Sequence, residues 1–226
     1  MSELIQTGPF AGLVRHGYRV ILADPPWRYR VWSRVEKGRR SADRHYPTMT
    51  IPMIRALPVH ELADPAGCLL WLWITTPFVT LGTHSNVMRD WGFAPSSLGF
   101  TWVKLQNHEE EALFIHTSDS FHMGMGHTTR RNTELCFLGR LGAPGRKSKA
   151  VRELIVAPVR GHSRKPDEQY DRIEAYSDGP YLELFARRRR PGWTSWGDQL
   201  PPVVPADHVN NADHLRDPAE GVQSRS

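Results

Sequence analysis

Val20-Ile21-Leu22-Ala23-Asp24-Pro25-Pro26-Trp27 is the stretch whose reading decides the fold. Val20 to Ala23 form a continuous apolar run, β-branched at its start and closed by proline, which is the pattern of a short buried strand. Such a strand delivers Asp24 to its carboxyl end, where α/β sheets place their ligand crevices. Pro25 and Pro26 have fixed φ and no backbone N–H, so the segment offers carbonyl oxygens in a stiff arrangement. Asp24 adds a carboxylate acceptor, and Trp27 and Tyr29 add flat faces on which a ring can stack. Two acceptors beside aromatic faces suit a planar base bearing an –NH2 group, whose two hydrogens need two acceptors. A strand followed by a rigid turn is the plainer account. At average composition, however, D-P-P-W arises by chance in roughly one chain per few thousand of this length.

With 226 residues the chain fits one domain whose core needs no disulfides. The net charge of +5 is unevenly placed and suggests an acidic partner such as nucleic acid. Cys68 and Cys136 lie in apolar, strand-like runs and read as buried free thiols in a reducing cytoplasm. No charged-then-apolar leader follows Met1, and the longest apolar run, Cys68 to Ile74, is too short to cross a bilayer. A cytoplasmic protein without a membrane role is the expectation.

Working outward, residues 1–17 show no period and read as a mobile arm, 18–200 as the domain, and 201–226 as a disordered tail rich in Pro, Asp, Asn, His and Ser. Thr50 caps a predicted helix with Pro52 in its first turn, running to about His60. Cys68 to Ile74 is a second buried strand, apolar on both faces as in a parallel sheet. Pro77 to Trp91 has helical spacing and stops at Gly92. Leu98 to Lys104, Leu135 to Leu138, Val151 to Val159 and Leu182 to Ala186 read as further strands, and Pro166 to Tyr176 as a helix with acids at its start. Strand, helix, strand alternation predicts an α/β domain with a right-handed, mostly parallel sheet.

The segment from Arg28 to Arg44 is basic and aperiodic, with Arg28, Arg30, Arg34, Lys37, Arg39 and Arg40 either contacting phosphates or forming a solvated charge run. Residues 106–129 hold His108, His116, His122 and His127, whose spacings match no closed zinc pattern; a substrate-binding loop fits better than a metal site. Arg130 and Arg131 are candidates for phosphates, while Asn132 and Glu134 read as pocket-supporting hydrogen-bond groups. No G-x-G-x-x-G is present, which counts against an oxidoreductase.

Taken together, the motifs resemble those of the S-adenosylmethionine-dependent adenine amino-methyltransferases with a D-P-P-W signature, the MT-A70 family. Besides D-P-P-W the resemblance rests on Tyr46-Pro47-Thr48-Met49, Trp102-Val103-Lys104, His162-Ser163-Arg164-Lys165-Pro166-Asp167-Glu168, Glu183-Leu184-Phe185-Ala186-Arg187 and Trp193-Thr194-Ser195-Trp196-Gly197-Asp198-Gln199. It implies a Rossmann-like methyltransferase fold in which the acceptor motif precedes the cofactor half. It implies methyl transfer from S-adenosylmethionine to the exocyclic N6 amine of adenine in nucleic acid. Likeness to the bacterial and phage members favours DNA; an RNA adenosine methyltransferase and a catalytically silent nucleic-acid-binding partner stay open, as does a homo- or heterodimer. By the same resemblance Asp24, Pro25, Pro26 and Trp27 are catalytic, and Arg28, Tyr29, Tyr46, Lys104, Arg130, Arg131 and Asn132 meet the substrate. Lys165 would bind the cofactor's carboxylate, Phe185 pack on it, Arg187 take its ribose side, and Asp198 and Gln199 its hydroxyls, with Asp24 touching it as well. Asp198 stands where the family often has asparagine, keeping an acceptor but losing an amide donor.

Overall fold

The computed structural model describes residues 3–28, 48–106, 120–124, 129–161 and 164–201. Its elements are β1 (Val20–Ala23), α1 (Ile51–Arg55), β2 (Gly67–Ile74), α2 (Thr76–Val79), α3 (Thr83–Asp90), β3 (Ala94–Leu105), β4 (Thr133–Gly142), β5 (Leu154–Pro158), α4 (Glu168–Tyr176), β6 (Tyr181–Leu184) and β7 (Trp193–Trp196). The seven strands form one sheet in the order β5-β3-β4-β2-β1-β6-β7. Four of the six pairings are parallel, as a Rossmann-like α/β domain requires.

The sheet is buried on both faces. On one side Ile21, Leu70, Leu72 and Leu182 pack against Ile54 of α1 and Val87 and Met88 of α3. On the other, Leu22, Trp71, Trp73 and Phe100 pack against Tyr170 and Ile173 of α4. All four residues of β1 are buried, so its apolar run fills both layers. Beside β1 lie β2 on one side and β6 on the other, so the chain changes direction across the sheet at this strand. A crevice opens at the carboxyl ends of strands where the order reverses in this way.

Three expectations about these elements are corrected. The helix predicted to reach His60 ends at Arg55, and a 3-10 turn, Val59–Glu61, follows it; Pro58 lacks an N–H and disfavours helical backbone at Leu57. Thr50 does cap α1, its hydroxyl accepting from the Met53 N–H at 3.4 Å. The helix predicted over Pro77 to Trp91 is broken into α2 and α3 by Gly82, whose φ of 65° lies outside the helical basin. The strand predicted at Leu135–Leu138 is ten residues long and antiparallel to both neighbours, inserted between β2 and β3.

Residues 3–17, expected as a mobile arm, form a packed double-back instead. Leu4 bridges Val14, the Ile5 N–H donates to the Leu13 carbonyl at 2.9 Å, and Gly8 and Gly12 take φ of 87° to turn the chain. Ile5 and Phe10 are buried in the core, so apolar burial repays the ordering of the arm. Among the described residues no helix is long and apolar enough to cross a membrane. The expected disordered tail, apart from Pro201, lies outside the described residues.

Candidate active site

Three chain segments meet at the carboxyl edge of the sheet. Asp24 leaves β1, Phe185 leaves β6, and Lys165 precedes α4. Between them lies a cleft of about 230 Å³, lined by Asp24, Lys165, Glu183, Phe185, Arg187 and Arg188 among others. Strand β6 stops because Phe185 takes a φ of 62°, a left-handed conformation uncommon for a bulky residue. That kink turns the chain beside Trp196, whose ring meets Phe185 edge-on at 5.4 Å.

Lys165 sits at the floor, its side chain only 8 % exposed, and its Nζ donates to Asp24 Oδ2 at 2.6 Å. The same ammonium lies 3.1 Å from Glu134 Oε2 on β4, and Glu134 pairs in turn with Lys104 of β3. Asp24, Lys165, Glu134 and Lys104 thus form a chain of alternating charge with no net charge. Burial opposes ionisation of Glu134, but Lys165 and Lys104 outweigh it and hold its carboxyl below the usual carboxylate range. Asp24 Oδ1 has no hydrogen-bond partner among the described residues, so one oxygen of the acceptor is left for a ligand.

The two prolines behave as a rigid presenter. The Pro25 carbonyl accepts the Trp27 N–H at 2.8 Å, a three-residue turn, and the Pro26 carbonyl accepts the Met49 N–H at 2.8 Å. Each carbonyl oxygen has a second lone pair, so the turn fixes the direction of Pro25 O without exhausting it. Trp27 corrects an expectation. Rather than offering an open face, it is 4 % exposed, packs against Phe78 and donates its indole N–H to the Trp73 carbonyl at 3.1 Å. Burying the ring while satisfying its one donor is the lower-energy arrangement, and it pins the turn that holds Asp24.

Of the other predicted residues, Lys104 is engaged by Glu134 and stands 4.9 Å over the Trp102 ring. Arg28, Arg130 and Asn132 are exposed and Arg131 half-buried, the last three leading into β4. Asp198 and Gln199 are exposed just beyond β7, and they do not line the cleft. Their segment is nevertheless pressed against the strand end below Phe185, since a Cβ on Gly197 would lie 2.3 Å from the Ala186 carbonyl oxygen. Tyr29, Tyr46, the basic run from Arg30 to Arg40, and His108, His116 and His127 lie outside the described residues.

Glu183 and its partner Tyr170, both lining the cleft, were given no site role by the sequence reading. Glu183 accepts from the Tyr170 hydroxyl at 3.0 Å through Oε1, while its buried Oε2 has no partner among the described residues. Burial pushes its carboxyl up to about 7, with Asp24 nearby adding to the rise while the Tyr170 hydrogen bond and Arg190 oppose it. The available signal was a glutamate in an otherwise apolar strand, Tyr181-Leu182-Glu183-Leu184.

These residues fit S-adenosylmethionine: an orphaned carboxyl oxygen on Glu183 for a hydroxyl or ammonium, acids to face a sulfonium, an aromatic ring at Phe185, and the Lys165 ammonium for a carboxylate.

The MT-A70 family model matches residues 18–199. A Drosophila melanogaster N(6)-adenosine-methyltransferase MT-A70-like protein is 32% identical over 187 residues, covering 81% of this chain and 27% of the relative. The type II methyltransferase M.MunI from Mycoplasma sp is 29% identical over 210 residues, covering 85% of this chain and 82% of the relative. The human N(6)-adenine-specific methyltransferase METTL4 is 31% identical over 210 residues, covering 87% and 39%. The chain therefore spans well under half the length of the Drosophila and human relatives, and most of the Mycoplasma one.

Proposed function

The chain belongs to the MT-A70 family, and from that membership we propose that it transfers a methyl group from S-adenosylmethionine to the N6 amine of adenine in nucleic acid. The observation that carries the proposal is the pairing of Asp24 with Lys165 at the cleft floor, beside the rigid Pro25–Pro26 turn. When bound, S-adenosylmethionine supplies an electrophilic methyl on a sulfonium.

The chain's own residues deal with the acceptor. The amino nitrogen of adenine is a poor nucleophile because its lone pair is delocalised into the ring. Asp24 and the Pro25 carbonyl accept its two N–H groups, which turns the lone pair out of conjugation. Lys165 fixes the carboxylate through Oδ2, so Asp24 needs little reorganisation as positive charge develops on the nitrogen. Glu134 and Lys104 hold Lys165 in place. Phe185, Arg187, Asp198 and Gln199 are assigned to the cofactor; Arg28, Tyr29, Tyr46, Arg130, Arg131 and Asn132 to the substrate. In a duplex the target base must be extruded to reach Asp24, or the substrate must be single-stranded.

We favour DNA, because the likeness runs along 82% of a type II methyltransferase but 27% of an adenosine methyltransferase. The test is incubation with labelled S-adenosylmethionine and adenine-containing DNA and RNA oligonucleotides, followed by nucleoside analysis. Label in N6-methyladenine from DNA is expected. Label from RNA alone reverses the substrate preference, and none from either supports a silent partner.

A further inference from the structure

We propose that Arg160, Arg164 and Arg188 form a distinct oxyanion site at the rim of the cleft, which takes a backbone phosphate of the nucleic acid whose base is presented to Asp24. The inference rests on the nucleic-acid reading above, and it adds residues that neither the motifs nor the family likeness assign to the substrate.

The three guanidinium groups come from separate places in the chain: Arg160 beyond β5, Arg164 just before α4, and Arg188 beyond β6. All three converge on one carboxylate. Arg160 Nη1 is 3.0 Å and Arg164 Nη2 2.6 Å from Asp167 Oδ2, and Arg188 pairs with Asp167 Oδ1. Arg164 and Arg188 by themselves set two cations on one anion, a surplus of positive charge at that carboxylate. A surface ion pair needs one partner and contributes little, so stability does not account for three. The crowding is felt at Arg188, whose guanidinium is held below its ordinary value by burial and by the charges of Arg164, Arg190 and Arg160.

Like charges gathered on a cleft wall suit an incoming oxyanion. Each guanidinium is a planar fork of five donors, matched to two oxygens of a phosphate, and one carboxylate cannot accept them all. Asp167 holds the forks converged, while the start of α4, a nine-residue helix, adds its positive end beside it. The side chains are 39%, 42% and 44% exposed, in reach of a polymer, whereas Lys165 at the floor is 8% exposed. Arg164 and Arg188 line the same cleft as Asp24, so the phosphate they hold belongs to the strand that delivers the target base. The other oxyanion that reaches this cleft is the cofactor's carboxylate, and the experiment separates the two.

Binding of an adenine-containing oligonucleotide is measured across a salt series for the wild type, the double variant Arg160→Gln/Arg188→Gln, and Asp167→Asn. S-adenosylhomocysteine affinity is measured on each by calorimetry. The double variant is expected to flatten the log–log salt slope by up to about 0.9, since one phosphate contact contributes about 0.7 to 0.9. Asp167→Asn, which removes the competing anion, is expected to tighten oligonucleotide binding at low salt, an outcome a merely structural ion cluster would not give. S-adenosylhomocysteine affinity stays within about twofold. Unchanged oligonucleotide binding in both variants overturns the site, and a loss confined to S-adenosylhomocysteine assigns it to the cofactor instead. If the wild type methylates oligonucleotides while the slopes are unchanged, only this inference fails; if it neither binds nor methylates them, the functional reading fails first.

Discussion

The Nζ of Lys165 lies 2.6 Å from Oδ2 of Asp24, which ties the acceptor carboxylate of one motif to the lysine of another. The two residues are far apart in the chain, and their pairing makes one unit of what the sequence presents as separate acceptor and cofactor halves. Glu134 closes that unit from β4, the inserted antiparallel strand. The insertion thus has a consequence for the site, because it carries the second anion that a buried lysine needs.

Lys165→Met leaves Asp24 and Glu134 without their shared cation, and breaking a buried pair in this way costs about 3–5 kcal/mol. Urea unfolding at pH 7 should show that loss. The Lys165 and Lys104 charges that keep Glu134 below the usual range give stability above the ordinary carboxylate value of 4.5, lost as pH falls through the lower native value. The acid limb of the stability curve should therefore be shallower in Lys165→Met. An equal limb in both proteins would show that Glu134 draws no support from Lys165.

Glu183 gives the opposite pH dependence. Its native value near 7 lies above the ordinary 4.5, so the folded state keeps a proton that the unfolded chain releases. Stability from this group is greatest below pH 4.5, declines as pH rises, and is fully lost above about 7. The stability difference between wild type and Glu183→Gln should change across that window in the direction of a wild type weakening with pH. A difference independent of pH would mean Glu183 is already ionised in the fold.

Phe185 combines a left-handed backbone with an aromatic side chain. Alanine keeps the backbone penalty and glycine removes it, so Phe185→Gly should be more stable than Phe185→Ala by about 1 kcal/mol. Both should lose S-adenosylhomocysteine affinity in calorimetry. Equal stabilities would show that the kink relaxes when the ring is removed.

The central strands were legible because β1 and β2 are buried on both faces, and such strands read as unbroken apolar runs. Asp24 was legible for the same reason, as the first polar residue after a run that can only be core. What was not legible is set by partners distant in the chain. β4 shows the same apolar pattern whichever way it runs, so its antiparallel insertion is invisible until it pairs with β2 and β3. Trp27 is equally suited to an open pocket and to the core; only the Trp73 carbonyl decides. The Tyr170–Glu183 pair joins a helix to a strand, and neither local pattern announces the other.

Ile5 and Phe10 illustrate the same limit in a segment without period, where isolated apolar residues find their partners only in the folded domain. Phe10 is 1% exposed and meets Trp196 edge-on at 5.0 Å, while the Trp196 indole N–H donates to the Pro9 carbonyl at 2.8 Å. Phe10→Ala should cost about 3–5 kcal/mol in urea unfolding. A loss under about 1 kcal/mol would fit a dispensable arm.

The most direct measurement is the single-turnover rate of Asp24→Asn at saturating S-adenosylmethionine, on the oligonucleotide the wild type methylates. The substitution keeps size and shape and retains one acceptor oxygen, but it removes the charge that favours a developing positive nitrogen. Preorganised electrostatics of this kind are worth about 2.7–4 kcal/mol, so the rate should fall roughly 10²- to 10³-fold. A rate within about threefold of the wild type would contradict the acceptor role of Asp24 and with it the account of the site.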